Sequence, residues 1–79
     1  MLIYFEREHV LINTQKIISL EYVEENSIPY LHFTGESRTR HDYVDIIFNS
    51  KEEALSTLHY IAYEYNNNPR QILTIVTEK

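Results

Sequence analysis

Apolar and polar residues alternate along the N-terminal part of the chain, which is the pattern of strands with one buried face. The alternation is clearest in residues 17–24, 30–34 and 41–49, and shorter apolar runs occupy residues 2–8 and 10–12. Polar, turn-forming stretches separate these segments, so we expect about five antiparallel strands. In the segments 17–24, 30–34 and 41–49, the side chains predicted to face the core are Ile18, Leu20, Tyr22, Leu31, Phe33, Val44, Ile46 and Phe48.

The spacing of apolar residues changes to three and four directly after Ser50, which predicts an amphipathic helix over residues 51–66. Glu53 follows Ser50 by three positions, so the two residues can form a capping box at the helix start. The helix is expected to stop near residues 66–68, because Pro69 comes next. The predicted inward stripe consists of Ala54, Leu55, Leu58, Ile61, Ala62 and Tyr65.

Together these segments predict one small α+β domain that covers residues 1–79. The strands would form an antiparallel meander, shaped as a curved sheet or a partly open barrel, with the helix packed across it. A flat sheet with the helix on one face is the alternative. A final strand over residues 71–77 has apolar positions on both faces, so we expect it in the middle of the sheet or in an oligomer interface.

The length and composition of the chain limit how it can be stabilised. A domain of this size buries only about 60–65% of its unfolded surface, and small cores usually need a disulfide, a metal or a partner subunit. The chain has no cysteine, which excludes disulfides and zinc–thiolate sites and fits a reducing compartment. The first residues lack the pattern of a signal peptide, and no apolar run approaches the ~20 residues of a membrane span. We expect a soluble, cytoplasmic protein.

Charge and motifs exclude several classes of function. The net charge of −5 weighs against binding to duplex DNA or to an anionic membrane, which requires a basic surface. The chain has no cysteine nucleophile, no glycine-rich phosphate loop and no nucleophile elbow. Glu24 and Glu25 would point to opposite faces of a strand, and the pair Glu52 and Glu53 fits the helix start. We therefore expect no enzymatic activity and no cofactor.

The four histidines raise the question of a metal site. His41 and Asp45 would share one face of a strand, and His32 from the neighbouring strand would complete a His/His/Asp set. None of the ligand spacings that mark a strong site occurs here. A solvated strand face with ordinary polar residues is the better interpretation, and we predict no metal.

The outward face of the predicted helix carries His59, Tyr60, Tyr63 and Glu64. An exposed face with two tyrosines is unusual on a small surface helix, and tyrosine supplies both contact area and a hydroxyl at protein interfaces. In the alternative interpretation the rings fold onto the sheet edge and keep their hydroxyls in water. We expect these residues to bind another protein or a second copy of the chain, which would make a homodimer.

The chain has one concentration of basic residues, at Arg38 and Arg40. With Tyr30 and Tyr43 nearby, these arginines could form a stacking and phosphate-binding surface for single-stranded nucleic acid. The acidic net charge weighs against this alternative. A third hypothesis is a self-assembling structural subunit that pairs edge to edge through its final strand.

Two short segments resemble known proteins. Residues 12–20 contain an I-N-x-x-x-I turn before a meander, and residues 46–54 contain an F-x-S-x-E-E-A step into a helix. Both segments look like parts of many short bacterial and phage proteins, and the arrangement distantly resembles PH-like domains. The matching residues are structural, so the resemblance implies a fold and carries no active site. It leads us to expect a regulatory interaction module of bacterial or phage type.

Overall fold

A computed structural model describes residues 1–36, 41–67 and 71–76, with only the backbone at positions 36 and 41. The architecture is α+β, as the sequence predicts, and within these residues five strands precede one α-helix. A short 3-10 helix, Thr14–Lys16, links the second and third strands. The elements in chain order are β1 (Leu2–Phe5), β2 (Val10–Asn13), β3 (Ile17–Glu25), β4 (Ile28–Glu36), β5 (His41–Ile47), α1 (Lys51–Asn67) and β6 (Ile72–Ile75).

The strands form two sheets of three strands each, whereas the sequence suggested one curved sheet. Sheet B has the order β3-β4-β5 and is the predicted antiparallel meander. Sheet A has the order β2-β1-β6, with β2 antiparallel and β6 parallel to β1. Parallel strands need a long crossover connection. The chain between β1 and β6, which includes sheet B and α1, provides it. The final strand therefore lies at an edge of sheet A and not in the middle of a sheet.

The core lies where the inner faces of both sheets meet the helix. Ile3 and Phe5 of β1 are completely buried, and the ring of Phe5 packs edge-on against Phe33 of β4, with 5.6 Å between ring centroids. This contact joins sheet A to sheet B. Edge-to-face aromatic pairs stabilise a fold by more than the apolar area that they bury. The buried apolar side chains are Ile3, Phe5, Ile12, Leu31, Phe33, Ile46, Phe48, Ala54, Ile61, Leu73 and Ile75.

The predicted inner face of sheet B is confirmed except at Ile18 and at Val44, which is 36% exposed. The register of β3 against β4 shifts between Ile17 and Ser19, so that Ile18 is an extra residue in a β-bulge and is exposed. A bulge reverses the alternation of side chains on its strand, and Ile17 packs against the core instead. Gly35, the partner of Ile17, has little room for a side chain, because an added Cβ would lie 3.1 Å from the Lys16 carbonyl oxygen.

The helix begins as the sequence predicts. The Ser50 hydroxyl accepts a hydrogen bond from the Glu53 amide at 3.1 Å, and the Glu53 carboxylate accepts one from the Asn49 amide, also at 3.1 Å. This reciprocal pair satisfies amides that have no partner within the helix. The last turn closes with a hydrogen bond from the Asn67 side-chain amide to the Tyr63 carbonyl oxygen at 3.1 Å.

The buried stripe of α1 is rotated relative to the prediction. Ala54 and Ile61 are buried as expected, but Ala62 and Tyr65 are exposed. Glu64 is only 5% exposed, so its assignment to the outward, protein-binding face is wrong. Residues 54, 57, 61 and 64 follow one another at spacings of three and four and therefore lie on one side of the helix. The apolar residues alone did not show this, because the position that completes the inner stripe is a glutamate.

Candidate functional site

The outward face of α1 retains three of its four predicted residues. His59, Tyr60 and Tyr63 are exposed, and Tyr63 shows 63% of its surface to solvent. Tyr60 and Tyr63 are three positions apart and so are neighbours on the helix surface. We call His59, Tyr60 and Tyr63 the helix face. It offers two aromatic rings with their hydroxyls, and Glu64 is not part of it.

Tyr60 connects the helix face to sheet A. It lies in a shallow groove of about 260 Å³ that runs between α1 and β6. The helix contributes only side chains with hydroxyl groups to this groove. The strand side contributes the hydroxyl of Thr74 and the apolar side chains of Ile75 and Val76. Its lining residues are Ser56, Thr57, Tyr60, Thr74, Ile75 and Val76.

Sheet A has an apolar outer face. Leu11 on β2 is 58% exposed, and Ile72 and Val76 at the other edge are 53% and 69% exposed. The register places Leu11 beside Tyr4 of β1 and Tyr4 beside Thr74 of β6, so these side chains form one continuous surface. The sequence indicated apolar positions on both faces of the final strand. It did not reveal this larger surface, because the pairing of β1 with β6 joins opposite ends of the chain.

The outer face of sheet B has a different chemistry. The cross-strand register aligns Glu21, His32 and Asp45 in one row. The His32 ring nitrogen Nδ1 hydrogen-bonds to the Asp45 carboxylate, and the ring of Tyr43 lies 5.4 Å from that of His32. Sequence reasoning placed His32 and Asp45 on neighbouring strands with the same orientation, and the structure brings the two side chains into contact.

Tyr30 lies on the same face and is surrounded by carboxylates. Its hydroxyl donates a hydrogen bond to Glu25 at 3.2 Å. Burial, that hydrogen bond and the negative charges of Glu25, Asp45 and Glu21 raise the pKa of Tyr30 above its ordinary value of 10.0. Such a negative environment repels phosphate, which disfavours nucleic acid at Tyr30. Of the other residues predicted to bind nucleic acid, Tyr43 is exposed on this face, and Arg38 and Arg40 lie outside the described residues.

Tyr22 occupies a comparable environment on the inner side of the same sheet, close to the start of the helix. Its hydroxyl donates a hydrogen bond to Glu24 at 3.0 Å. Burial, this hydrogen bond and the charges of Glu24 and Glu52 raise the pKa of Tyr22. The neutral forms of Tyr22 and Tyr30 are therefore both favoured in the folded protein.

One concavity of the described surface is mainly apolar. It has a volume of about 360 Å³ and lies between α1 and β3, with Leu20, Leu58 and Ile61 among its walls. Its wall residues with polar side-chain atoms are Thr14, Ser19, Tyr65 and Asn66, and no aspartate, glutamate, lysine, arginine or histidine lines it. Within the described residues, no three histidine, aspartate or glutamate side chains converge as metal ligands would. The side chain of His41, a member of the metal set considered above, is not described.

Comparison of the chain with protein-family models, with curated proteins and with solved structures found no significant match. In the part of the chain that the structure describes, no helix combines the length and the apolar composition that a membrane span needs. The functional argument therefore rests on the surfaces of this molecule. Two of them stand out: the apolar side formed by the helix face, the groove and sheet A, and the acidic outer face of sheet B.

Proposed function

We propose that this chain is a small, non-enzymatic protein-interaction module of bacterial or phage type that regulates another protein in the cytoplasm. The observation that supports the proposal is the continuity between Tyr60 and the exposed edge of sheet A. Tyr60 contributes to the helix face on one side and to the groove beside Thr74 and Val76 on the other. Contiguous exposed apolar and aromatic surface on a small domain is typical of binding sites.

The composition of this surface fits a protein partner. Tyrosine adds a large, rigid contact area at little cost in conformational entropy, and its hydroxyl can form a hydrogen bond at the rim of an interface. The central part of the surface, residues 71–76, carries no charged side chain, and interface cores are depleted in charge. The acidic outer face of sheet B has the opposite character and is less suited to a stable apolar contact.

Affinity capture with a matched control tests the proposal. Tagged protein is used to capture partners from a bacterial lysate, with and without nuclease, and bound proteins are quantified by mass spectrometry. The double variant Tyr60→Ala with Tyr63→Ala should lose at least ten times more of a stoichiometric partner than the control Tyr43→Ala. The control is well matched, because Tyr43 on sheet B is 66% exposed and Tyr63 is 63% exposed.

The result that would contradict the proposal is equal capture by both variants, or capture that nuclease abolishes. Loss on nuclease treatment would favour the single-stranded nucleic-acid alternative through Arg38 and Arg40. A second readout, titration of the purified partner by calorimetry, measures how far each variant weakens the contact. Both variants should keep the far-ultraviolet circular dichroism of the unmodified protein.

A further inference from the structure

The free edge of β6 has a defined hydrogen-bonding pattern. The Leu2 amide donates to the Gln71 carbonyl oxygen at 2.9 Å, and the Glu6 amide donates to the Ile75 carbonyl oxygen at 3.0 Å. Because backbone groups of alternate residues in a strand point to the same side, residues 71, 73 and 75 bond to β1. Residues 72, 74 and 76 present their backbone groups to the opposite side, where no described strand pairs with β6.

The strand itself lacks the sequence features that usually protect an exposed edge, and α1 flanks it only across a shallow groove at Ser56, Thr57 and Tyr60. Natural edge strands carry lysine, proline or a bulge, or they are covered by a loop or helix. Residues 71–76 contain no charged side chain and no proline, and the pairing of β6 with β1 is regular. A row of backbone donors and acceptors with this spacing is complementary to another extended strand.

We infer that this strand comes from a second copy of the chain, and that two β6 strands pair antiparallel about a twofold axis at Thr74. This inference goes beyond the proposed function, because it assigns the exposed edge of β6 to self-association. The three edge-facing residues are centred on Thr74, so symmetric pairing sets Thr74 opposite Thr74 and Ile72 opposite Val76 of the other copy. The result is one continuous sheet of six strands, with sheet A of each copy contributing three.

The side chains on β6 are complementary to themselves in this register. On the outer face, Ile72 would contact Val76 on both sides of the axis, and on the inner face Leu73 would contact Ile75. Cross-strand pairs of β-branched residues stabilise antiparallel sheets, and like charges directly opposite destabilise them. A chain with a net charge of −5 repels its own copy, and this charge-free strip is where two copies meet without opposed carboxylates.

Tyr60 extends the contact beyond the backbone. It lines the groove beside Thr74 and Val76, on the side of β6 where the second strand would add. Each Tyr60 ring would then cover the partner's strand near the axis, which adds aromatic area to a short strand pairing. Isologous contacts of this kind, with one patch meeting itself, generate closed dimers and not filaments.

Disulfide trapping tests the register directly, because the chain contains no cysteine. Residues in a hydrogen-bonded antiparallel pair have Cα atoms about 5.5 Å apart, within the range of roughly 4.4–6.8 Å that a disulfide spans. Thr74→Cys should therefore form a covalent dimer under mild oxidation. Ile72→Cys is the matched control, because four strand positions, about 13 Å, would separate the two copies of residue 72.

We expect Thr74→Cys to form dimers at least ten times faster than Ile72→Cys, and a mixture of Ile72→Cys with Val76→Cys to form mixed dimers. Leu11 lies at the other edge of sheet A and is 58% exposed, similar to Ile72 at 53%. Leu11→Cys should therefore form no disulfide-linked dimer. Equal rates for Thr74→Cys and Ile72→Cys, or fastest coupling through Leu11→Cys, would overturn the proposed pairing. A thermal melt of each reduced variant shows whether it is folded.

Sedimentation equilibrium of the unmodified protein and of Thr74→Lys completes the test. A lysine at the axis opposes a lysine of the second copy, so dimerisation should weaken at least tenfold. If the unmodified protein is a monomer at every concentration and still captures a partner through Tyr60 and Tyr63, the dimer is wrong and the proposed function stands. If it dimerises through β6 and captures only itself, the dimer stands and the proposal of a separate regulated protein fails.

Discussion

Sheet A and sheet B bury similar residues on their inner faces and differ on their outer faces. The outer face of sheet A presents Leu11, Ile72 and Val76, all more than half exposed. The outer face of sheet B presents the His32–Asp45 pair with carboxylates and tyrosines around it. An antiparallel sheet with one solvated face normally alternates apolar and polar residues, as sheet B does. Sheet B also exposes Ile28, Tyr43 and Ile47 on its outer face, so the two faces differ by the histidine and the carboxylates of sheet B and not by apolar residues alone.

The two sheets also differ in how the chain assembles them. Sheet B forms from three consecutive strands, and a two-residue turn connects β3 to β4. Sheet A joins β1 to β6, which lie at opposite ends of the chain. Pairing of distant segments costs more chain entropy than pairing of neighbours. The apolar outer face of sheet A therefore belongs to the part of the fold that depends most on long-range contacts.

Removing the Phe5–Phe33 contact between the sheets should have the largest effect on the free energy of unfolding. Phe33 is buried and packs against Phe5, so Phe33→Ala removes a core ring and the contact that connects the sheets. We expect a loss of about 3–5 kcal/mol in the free energy of unfolding, close to the total stability of a small domain. Urea denaturation at a fixed protein concentration measures it.

Tyr43→Ala is the control for Phe33→Ala, because Tyr43 lies on sheet B but points to solvent. It should change the free energy of unfolding by less than about 0.5 kcal/mol. A loss below about 1 kcal/mol for Phe33→Ala would mean that the two sheets do not depend on this ring. In that case each sheet would be stabilised mainly by its own contact with the helix.

The contrast between the outer faces is tested most directly by two matched lysine substitutions. Ile72 on sheet A is 53% exposed and Ile47 on sheet B is 54% exposed. Ile72→Lys should weaken self-association at least tenfold, because it opposes Val76 across the proposed axis. Ile47→Lys should change self-association less than twofold, since the neighbouring carboxylates of Glu25 and Asp45 accommodate a cation. Equal effects in sedimentation equilibrium would show that the faces do not differ in function.

The hydrogen-bonded tyrosine hydroxyls of sheet B predict a loss of stability in alkaline solution. The folded protein raises the pKa of Tyr22 and of Tyr30 above 10.0, so near and above pH 10 the folded state holds more protons than the unfolded state. Stability is complete below the unfolded value and falls as the pH rises through the raised folded values. Urea denaturation at a series of alkaline pH values measures this decline.

Replacing both Tyr22 and Tyr30 with phenylalanine should flatten the alkaline decline. Tyr63→Phe removes one exposed tyrosine hydroxyl from the helix face and serves as the control. An unchanged slope in the double variant would contradict the link between these two hydroxyls and stability. Absorbance titration of tyrosinate in the unmodified protein provides an independent check.

Sequence reasoning succeeded where structure is set by near neighbours. The alternation in β4 and β5 identified Leu31, Phe33 and Ile46 as core, and the Ser50–Glu53 pair identified the helix start. Each of these features depends on residues within a few positions or on one face of one strand. Local patterns of this kind survive folding because nothing distant changes them.

Sequence reasoning failed where an extra residue in a strand, a charged residue in the buried stripe of α1 or pairing with a distant strand decided which side chains are buried. Ile18 faces outward because the bulge at the start of β3 shifts the alternation, and a bulge leaves no reliable mark in the sequence. Glu64 lies inside because the inner stripe of α1 ends in a charged residue, which an apolar pattern assigns to solvent. The apolar outer face of sheet A was only partly visible, since its formation requires the pairing of β1 with β6.

The smallest expected effect concerns the turn that fixes the register of sheet B. Asn26 and Ser27 connect β3 to β4 with φ angles of 53° and 65°, the left-handed conformations of a two-residue hairpin turn in which Asn-Gly is preferred. Ser27→Gly removes the steric cost of a Cβ atom there and should raise the free energy of unfolding by about 0.5–1 kcal/mol. Ala62→Gly on exposed α1 is the control and should lower it by about 1 kcal/mol.

The same turn variant also sharpens the comparison between the sheets. Strain in the β3–β4 turn affects sheet B alone, so Ser27→Gly should leave the dimer dissociation constant unchanged while it raises the urea midpoint. If the dissociation constant changes along with the midpoint, the sheets are coupled through the Phe5–Phe33 contact, and the outer face of sheet A responds to strain on sheet B. An unchanged dissociation constant would instead mean that sheet A presents its edge independently of the register of its neighbour.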